Sequence, residues 1–587
     1  MIRILKNLRA KDWGLVFIII LLVFAQVWLD LKMPEYVSEI TKLVQTEGSK
    51  MSDIMSNGGM MLLCTFASLL GAVATGYSAS LLSANLSMNI RSRLFNKVEN
   101  LSMAEIKKFS TSSLITRTTN DITQIQMFAA MGFQMLIKAP LTAILAIMKI
   151  TDKSWQWSAL TGVCVVILLS VIAVLILIVL PRFKKVQKLT DKLNGVTREN
   201  LTGIRVIRAF NAESFQQEKF DNVNDELTGQ QLFNQKTFAI MQPVMYLIMY
   251  GLSLGIYFIG ANLIDGAVAA ERMSLFGDMI VFSSYAMQII GAFLMLALIF
   301  MILPRASVSA NRINEVIYTE NSIKNGKVKK GIDGEEGTVE FKDVFFRYPD
   351  GDEDLLRNIN FKINKGETFA IVGSTGSGKS SVINLIPRLY DATGGEVLVD
   401  GVNVKEYDEE YLNSKIGFVT QKAILFNGTV NSNVSYGKST NGKVTKEKVK
   451  EAIKVAQAKD FVEKMEKGYD GFIASSGTNI SGSQKQRISI ARAIARDPEI
   501  FVFDDSFSAL DYKTDSLLRK ELKKYTKNAT TIIVAQRIGT IMHADKIMVL
   551  DEGKIVGLGT HKELLKSCEV YKQIALSQLS KEKLENE

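Results

Sequence analysis

The chain has 587 residues, 47% of them hydrophobic and 22% charged, with a formal net charge of +10 at pH 7. This length exceeds one ordinary domain, so several domains are expected. Three cysteines, Cys64, Cys164 and Cys568, are far apart and odd in number, which excludes a disulfide framework and a zinc-finger spacing. We expect them to fill buried packing positions.

Six apolar runs lie before residue 305, and each is long enough for a membrane helix, which needs about 20 apolar residues. One such run alone could be a buried core helix, but six together predict a membrane domain. The first run is too long for a signal peptide and lacks a small-residue cleavage site after it. The runs are Trp13–Leu31, Met60–Leu82, Phe128–Ile150, Ala159–Leu180, Ile240–Leu263 and Phe276–Leu303.

Positive charge is concentrated in residues 3–11, 91–117 and 182–192. Because lysine and arginine favour the cytoplasmic side of a membrane, the amino terminus, two long loops and the carboxy-terminal half are predicted to be cytoplasmic. The expected location is the plasma membrane, as a multi-pass protein of a bacterium. The positive net charge then indicates contact with anionic lipid of the bilayer and no nucleic-acid binding.

The two cytoplasmic loops are predicted to be helical continuations of the membrane helices. A 25-residue helix projects about 38 Å at 1.5 Å per residue. Short turns are expected near Ser110–Ser113 and Asn211–Ser214. A disordered charged loop is the alternative, but it fits poorly with the regular apolar spacing of Leu201, Ile204, Val206, Ile207 and Phe210.

The fold class expected is therefore an α-helical transmembrane domain followed by an α/β nucleotide-binding domain. Residues 1–320 form the first, the Gly- and Lys-rich stretch 321–337 is a linker, and residues 338–587 form the second. In the second, β-branched runs alternate with helical patterns, which predicts a largely parallel sheet with crossover helices.

A phosphate-binding loop is predicted between an expected strand, Thr368–Val372, and an expected helix, Ser381–Leu389. Its glycines let backbone N–H groups surround phosphates at a helix amino terminus. Lys379 should reach the β- and γ-phosphates, while the Ser380 hydroxyl and Asp504, after a second apolar strand, should hold Mg²⁺. ATP or GTP is thus expected at Gly373, Ser374, Thr375, Gly376, Ser377, Gly378, Lys379, Ser380 and the following Ser381.

Further stretches resemble motifs of the ATP-binding cassette (ABC) family. NISGSQKQRISIARAI resembles its signature, with Ser481, Gly482, Ser483 and Gln484, and SALD, with Ser508 and Asp511, resembles its D-loop. Gln421 matches the Q-loop, implied to act in catalysis and to contact nucleotide and Mg²⁺, and Tyr348 matches the aromatic residue that stacks on adenine. Six membrane helices ahead of one cassette resemble an exporter half-transporter, two of which pair. The cofactors implied are ATP and Mg²⁺.

The resemblance implies that two cassettes enclose two ATP molecules, each between one P-loop and the partner's signature. Ser481 and the Gly482 backbone would then contact the γ-phosphate held by the partner. Ser483 departs from the family, which usually has glycine there, and Ser475 and Ser476 stand where charged residues are common.

Two residues of the implied catalytic site also depart from the family. Asp505 stands where active members have glutamate. The aspartate side chain is one methylene shorter, so its carboxylate is withdrawn by about 1.5 Å, and a 1 Å misplacement can cost about 100-fold in rate. Gln536 replaces the switch histidine, and it cannot carry a titrating proton. The only histidines, His543 and His561, are expected on the surface.

These departures predict a pocket that binds MgATP and hydrolyses it poorly. The partner is then a second, dissimilar half-transporter with the glutamate and the histidine, as in heterodimeric bacterial multidrug ABC exporters. A homodimeric exporter with slow chemistry and a nucleotide-gated channel or regulatory membrane protein are the alternatives.

Polar residues inside the apolar runs are the candidates for contacting a small amphipathic substrate, such as a drug, lipid or peptide. An ionisable group at membrane depth indicates function. Lys138 could instead extend to the inner interface. The candidates are Gln134, Lys138, Gln242, Ser283, Ser284 and Gln288.

Overall fold

The computed structural model describes residues 2–46, 48–151, 153–437 and 442–578. The chain forms two compact units. One consists of Met1–Glu99 and Ser112–Tyr318, and the other of Asn100–Thr111 and Thr319–Glu587. Each unit is described in turn.

The first unit is helical. Its helices are α1 (Ile2–Leu5), α2 (Ala10–Gln45), α3 (Met51–Glu99), α5 (Thr111–Thr118), α6 (Asn120–Met127), α7 (Phe133–Ile150), α8 (Trp155–Ala209), α9 (Glu213–Asp265) and α10 (Ala269–Ile317). Helix α4 (Met103–Phe109) belongs to the second unit. A π-helical turn, Phe128–Gly132, joins α6 to α7. In the described part of the chain, six helical stretches are long and apolar enough to cross a membrane, and each contains one predicted run. This confirms the predicted membrane helices.

The helices extend far beyond the hydrocarbon thickness. α8 has 55 residues and α9 has 53, so each is about 80 Å long at 1.5 Å per residue, against about 30 Å of hydrocarbon. The chain reverses between them at residues 210–212, where Asn211 has a φ of 50°. The predicted turn in this loop lies at this reversal.

The first cytoplasmic loop differs from the expected single turn near Ser110–Ser113. The chain breaks after Glu99, forms α4, and breaks again at Ser110, whose φ is 53°. A further interruption at Thr119 separates α5 from α6. The break at Ser110 is where a turn was predicted, but the break after Glu99 and the seven-residue helix between the two breaks were not predicted.

Helices of the membrane unit approach one another closely at Gly260 of α9. A Cβ there would lie 2.4 Å from the Met279 sulfur and 3.3 Å from the Trp157 ring. Trp157 in turn packs on Phe282, with ring centroids 5.4 Å apart. A small residue thus brings α8, α9 and α10 together, as is common between helices in membranes.

The second unit is built on sheets. Its strands are β1 (Val339–Phe346), β2 (Leu356–Ile363), β3 (Thr368–Gly373), β4 (Gly394–Val399), β5 (Val402–Asn403), β6 (Ile416–Val419), β7 (Gly428–Thr429), β8 (Phe472–Ile473), β9 (Ile500–Asp504), β10 (Thr530–Val534), β11 (Lys546–Asp551) and β12 (Lys554–Gly559). The six-stranded sheet has the order β12-β11-β3-β10-β9-β6, parallel except for β12. A four-stranded antiparallel sheet has the order β2-β1-β4-β5, and β7 pairs with β8. The expected parallel sheet is confirmed.

Helices cover this sheet. They are α11 (Lys379–Leu385), α12 (Glu409–Ser414), α13 (Val430–Val434), α14 (Lys446–Val455), α15 (Lys459–Glu463), α16 (Gly482–Ala495), α17 (Tyr512–Tyr525), α18 (Ile538–Ile541), α19 (His561–Ser567) and α20 (Glu569–Gln578). Every residue of β9 and β10 is buried, as expected for parallel strands covered on both faces. The carboxyl ends of β3, β10 and β9 therefore meet at one edge, where ligands of such sheets bind.

Two local expectations are corrected. The helix after the P-loop ends at Leu385 instead of Leu389, because Pro387 cannot continue it and Arg388 has a φ of 56°. His561 is only 6% exposed, and its Nδ1 lies 2.7 Å from the Tyr571 hydroxyl, so its expected surface position was wrong. His543 is exposed, Cys64 and Cys568 are buried, and Cys164 is half-buried.

The stretch expected to be a linker is bound along the second unit. Gly326 N donates to Tyr407 O at 2.9 Å, and Ile332 N donates to Asp400 O at 2.9 Å. The domain boundaries at residues 320 and 338 remain predictions.

An ion triad with two buried members joins the four-stranded and six-stranded sheets of the second unit. Lys415 Nζ lies 2.6 Å from Asp400 Oδ2 and 2.9 Å from Glu499 Oε2. Asp400 Oδ1 also accepts a hydrogen bond from Gly337 N at 2.7 Å. The side chains of Lys415 and Asp400 are 5% and 0% exposed. The triad ties the end of β4 to the residues that precede β6 and β9.

Candidate functional site

The loop between β3 and α11 has a shape that only glycine permits at two positions. A Cβ on Gly373 would lie 2.0 Å from Leu550 O, and one on Gly378, whose φ is +99°, would lie 2.7 Å from a methyl carbon of Leu356. A side chain at either position would displace the loop. The backbone is therefore held in a tight curve at the amino end of α11.

Lys379 and Ser380, the first residues of α11, face the interior of this curve. Lys379 Nζ donates to Gly373 O at 2.9 Å and to Ser374 O at 2.6 Å. Burial lowers the pKa of Lys379 below its ordinary value, although Asp505 and Asp504 oppose this. Without a ligand the ammonium is thus held by carbonyl oxygens of its own loop.

Asp504, the last residue of β9, contacts the P-loop. Ser380 Oγ donates to Asp504 Oδ1 at 3.1 Å. Burial raises the pKa of Asp504, and the charge of Asp505 adds to this, against the hydrogen bond from Ser380. A carboxylate that is destabilised in this way would be stabilised by a cation.

These oxygens fit Mg²⁺. In the described residues, no group of three or more His, Cys, Asp and Glu side chains could hold a metal by itself. Mg²⁺, however, is usually held by one or two protein oxygens together with phosphate oxygens and water. The hydroxyl of Ser380 and the carboxylate of Asp504 supply such a pair.

Asp505 is enclosed by side-chain amides. Its Oδ2 accepts a hydrogen bond from Gln421 Nε2 at 3.3 Å and another from Gln536 Nε2 at 3.1 Å. Its backbone has a φ of 45°, and its N–H donates to Val534 O at 2.9 Å. Burial raises its pKa, against the hydrogen bonds from Gln421 and Ser508. The carboxylate is therefore drawn toward two glutamines that follow other strands.

Gln536 is itself fixed by the carboxyl end of α20. Gln578 Nε2 donates to Gln536 O at 2.8 Å, and Gln578 Oε1 accepts from Ile538 N at 2.8 Å. One amide thus bridges the carbonyl of Gln536 and the N–H of Ile538, which fixes the backbone that follows Gln536. The sequence contains no signal for this contact, because the two glutamines are far apart along the chain.

Tyr348 lies beside the P-loop helix within an aromatic group. Its hydroxyl shares a 3.0 Å hydrogen bond with Ser381 Oγ, and its ring meets the rings of Phe346 and Tyr390 edge-on, with centroids 4.8 and 5.2 Å away. Lys107 of α4 places its ammonium 4.4 Å from the centre of the Tyr348 ring. Burial opposes the charge of Lys107, but the neighbouring hydroxyl of Tyr390 and the ring of Tyr348 raise its pKa overall. Sequence reasoning missed Lys107 and Tyr390, which belong to no motif.

The signature-like residues form the amino end of α16. Ser481 is the N-cap, and its Oγ accepts from Gln484 N at 3.2 Å while Gln484 Oε1 accepts from Ser481 N at 2.9 Å. A Cβ on Gly482 would meet nothing within 4 Å. This helix end is therefore open to a ligand. In the D-loop, Ser508 Oγ donates to Asp505 O at 2.8 Å, and Asp511 caps α17 by accepting from Thr514 N at 2.9 Å.

Of the substrate candidates in the membrane unit, two meet at one point. Lys138 Nζ lies 3.5 Å from Asp30 Oδ2, and Gln288 Nε2 donates to Asp30 O at 3.3 Å. Lys138 therefore lies beside a carboxylate of α2, and its predicted contact with substrate remains a prediction. The remaining four candidates contact their own helix or a neighbour: Gln134, Gln242, Ser283 and Ser284.

Comparison with known proteins agrees with this geometry. Residues 16–293 match the family model for the ABC transporter transmembrane region, and residues 356–508 match the model for the ABC transporter. The chain is 39% identical over 547 residues to an uncharacterized ABC transporter ATP-binding protein of Mycobacterium bovis, covering 92% of this chain and 93% of that protein. It is 30% identical over 517 residues to the ATP-dependent lipid A-core flippase of Aromatoleum aromaticum, covering 87% and 84%.

The fold is also found in a solved structure, that of a bacterial Atm1-family ABC exporter with ATP bound. The TM-score is 0.80 at 21% identity, with 97% of this chain and 98% of that chain covered. The chain thus has the exporter half-transporter architecture, a transmembrane domain fused to one cytoplasmic cassette. It belongs to the ABC transporters and is a multi-pass membrane protein.

Proposed function

We propose that this chain is one subunit of a heterodimeric ATP-driven exporter and that its own nucleotide pocket binds MgATP without hydrolysing it efficiently. The family supports ATP binding and ATP-driven transport. The contact that carries the finer proposal is that of Asp505, whose carboxylate accepts hydrogen bonds from both Gln421 and Gln536.

This contact explains why the pocket would be slow. A catalytic carboxylate must reach a water molecule beside the γ-phosphate, and its geometry must be correct to within about 1 Å. Asp505 is one methylene shorter than glutamate, and both amides hold its Oδ2 against the protein. Gln536 also lacks a second protonation state. The pocket therefore keeps its binding groups and lacks a free general base.

The binding groups have separate tasks. The curved backbone between Gly373 and Gly378 surrounds the phosphates with N–H groups, and Lys379 exchanges its carbonyl partners for phosphate oxygens. Ser380 and Asp504 hold Mg²⁺, which neutralises charge on the β- and γ-phosphates. The ring of Tyr348 stacks on adenine.

The second pocket of the dimer is completed by this chain's α16. Ser481 and the Gly482 backbone lie at an open helix amino terminus, which favours anions. They contact the γ-phosphate bound by the partner, whose glutamate and histidine perform hydrolysis. ABC exporters in general form dimers. Our proposal is that the partner in this dimer is a dissimilar half-transporter.

The cargo proposed is an amphipathic or lipophilic small molecule taken from the cytoplasm or inner leaflet. The lipid-related name of the Aromatoleum aromaticum relative supports a lipophilic cargo. The polar side chains that contact Asp30 within the membrane helices support a cargo that also has a polar end.

The test compares the chain alone with the chain and its co-purifying half-transporter, both in phospholipid nanodiscs. The chain alone is expected to retain radiolabelled ATP as ATP, with phosphate release at background. The complex is expected to hydrolyse ATP, and Ser481→Ala in this chain should slow it by at least about 10-fold, the effect of losing one strong hydrogen bond to a charged group. Brisk phosphate release by the chain alone would refute the proposal.

The adenine contact gives a further prediction. Tyr348→Leu is expected to weaken binding of a fluorescent ATP analogue by about 5- to 100-fold, because aromatic stacking on a base contributes about 1–3 kcal/mol. Fluorescence titration of nanodisc-embedded protein measures this. Tyr436→Leu, a change of another half-exposed cassette tyrosine, should leave the affinity unchanged. Equal affinities for Tyr348→Leu and the unaltered chain would remove Tyr348 from the site.

A further inference from the structure

Three membrane helices contact Asp30 of α2, two of them at its carboxylate and one at its backbone carbonyl. Ser68 Oγ of α3 donates to its Oδ1 at 2.5 Å. Lys138 Nζ of α7 lies 3.5 Å from its Oδ2, and Gln288 Nε2 of α10 donates to its backbone carbonyl at 3.3 Å. This group, Asp30, Ser68, Lys138 and Gln288, is called the Asp30 cluster below.

Three of the four cluster residues lie deep inside their apolar runs, and the fourth, Asp30, lies one residue before the end of the run Trp13–Leu31. Ser68, Lys138 and Gln288 are each at least about 12 Å from either end of their apolar runs, at 1.5 Å per residue. Charges at this depth are costly, face the interior of a helix bundle or a cavity, and mark transport pathways in membrane proteins. The side chains of Asp30 and Lys138 are 31% and 26% exposed on this chain, so the ion pair borders open space.

The ion pair is loose in comparison with its neighbours. Lys149 pairs with Glu35 at 2.7 Å, and Lys153 pairs with Asp278 at 2.7 Å. A charge-assisted hydrogen bond is normally about 2.7–2.9 Å long, so Lys138, at 3.5 Å, leaves Asp30 Oδ2 poorly satisfied.

A second acceptor beside Asp30 is also unsatisfied. Gln288 uses its Nε2 on the Asp30 carbonyl, and its Oε1 is buried with no hydrogen-bond partner in the described part of the chain. A buried acceptor without a donor costs about 1–3 kcal/mol. Asp30 Oδ2, which is charged, and Gln288 Oε1 both lack a close hydrogen-bond donor among the described residues. A ligand that fits both would be a cation that donates hydrogen bonds.

We propose that the Asp30 cluster binds the protonated amine of a lipophilic amine, which donates N–H bonds to Asp30 Oδ2 and Gln288 Oε1 and displaces Lys138. This deepens the proposed export function, on which it rests, by assigning the cargo a class: amphiphiles with an N–H-bearing ammonium. A quaternary ammonium has the same charge but no N–H, so it cannot satisfy Gln288. Lys138 serves as the counter-ion of Asp30 when the site is empty.

The test measures saturable binding of two tritiated probes, dodecylamine and dodecyltrimethylammonium, to the full chain in nanodiscs, with empty discs subtracted. Dodecylamine is expected to bind at least about 10-fold tighter, the effect of a hydrogen bond to a buried acceptor. Asp30→Asn should weaken the binding of dodecylamine at least about 10-fold. Gln288→Met should weaken the binding of dodecylamine but not that of dodecyltrimethylammonium. Asp278→Asn, which disrupts a neighbouring ion pair, should change the binding of neither probe.

A purely structural ion pair is excluded by a charge exchange. The variant D30K/K138D keeps an ion pair between α2 and α7, so a structural role predicts unchanged probe binding, whereas the proposed site predicts its loss. Equal binding of the two probes, or unaltered dodecylamine binding in Asp30→Asn, would overturn the proposal. Retention of a fluorescent ATP analogue shows that the cassette of each variant is folded, and an unchanged near-UV circular dichroism spectrum shows that the membrane unit, with its aromatic packing, is folded. Gln288→Met carries the test if the charge variants do not fold. Binding needs no hydrolysis, so its failure is distinct from failure of the heterodimer proposal, which the phosphate-release assay reports.

Discussion

The double variant Asp505→Glu, Gln536→His of the chain alone is expected to release phosphate about 100-fold faster than the unaltered chain, the factor that a 1 Å correction of a catalytic group can give. Glutamate extends the carboxylate toward the attacking water. Removing Gln536 frees Asp505 Oδ2 from one of its two amide donors, and histidine supplies a side chain that titrates near neutral pH. Phosphate release from nanodiscs at saturating MgATP measures the gain.

The control adds Lys379→Ala to the double variant, which removes the cation closest to the phosphates and should return the rate to background. Each single variant is expected to gain less than the pair, because the two side chains meet at one oxygen. If the double variant stays at background although it binds ATP, Asp505 and Gln536 are not what limits the pocket. Ser483 of the signature would then be the next residue to exchange, by Ser483→Gly.

Lys415→Met is expected to lower the free energy of unfolding of the cassette by about 3–5 kcal/mol, because it leaves the buried carboxylate of Asp400 without its cation. Asp400 is fully buried, and Lys415 lies between it and Glu499. The triad joins the two sheets, so the loss affects the cassette as a whole. Pulse proteolysis in urea, with cassette fragments followed on gels, measures the change.

Two comparisons separate the buried charge from lost packing. Lys524→Met removes one partner of an exposed pair, with side chains 63% and 41% exposed, and should cost less than about 1 kcal/mol. The variant D400N/K415M removes both buried charges and should regain much of the stability that Lys415→Met loses. If Lys415→Met is as stable as Lys524→Met, the triad does not stabilise the cassette.

The sequence predicts those parts of the fold that depend on local pattern. Six apolar runs locate the membrane helices, and the glycines of the P-loop locate the curve before Lys379, since both signals lie within one short stretch. The break at Ser110 lies at the predicted turn, whereas the break after Glu99 was missed because the stretch between α3 and α4 has no glycine or proline to mark it. His561 was misplaced because a single polar residue does not reveal its partner, here Tyr571.

The candidate site was predictable only where a motif marks it. Asp505, Gln421 and Gln536 could each be selected by their motifs, but their meeting at one carboxylate oxygen is a consequence of the strand order β10-β9-β6. Gln578 and Lys107 contact the site from other elements and belong to no motif. Asp30 lies within the apolar run Trp13–Leu31 and was not among the predicted substrate contacts, and only packing shows that three other helices contact it.

Helix α4 belongs to the compact unit that contains the sheets, although it is encoded among the membrane helices. Ser102 N donates to Asn321 Oδ1 at 2.9 Å, and Lys107 covers the ring of Tyr348. A fragment expressed from residue 338 onward would lack both α4 and the segment to which it is tethered. The ring of Tyr348, which we propose to stack on adenine, would lose its contact with Lys107, so we expect nucleotide affinities obtained with such a fragment to differ from those of the intact subunit.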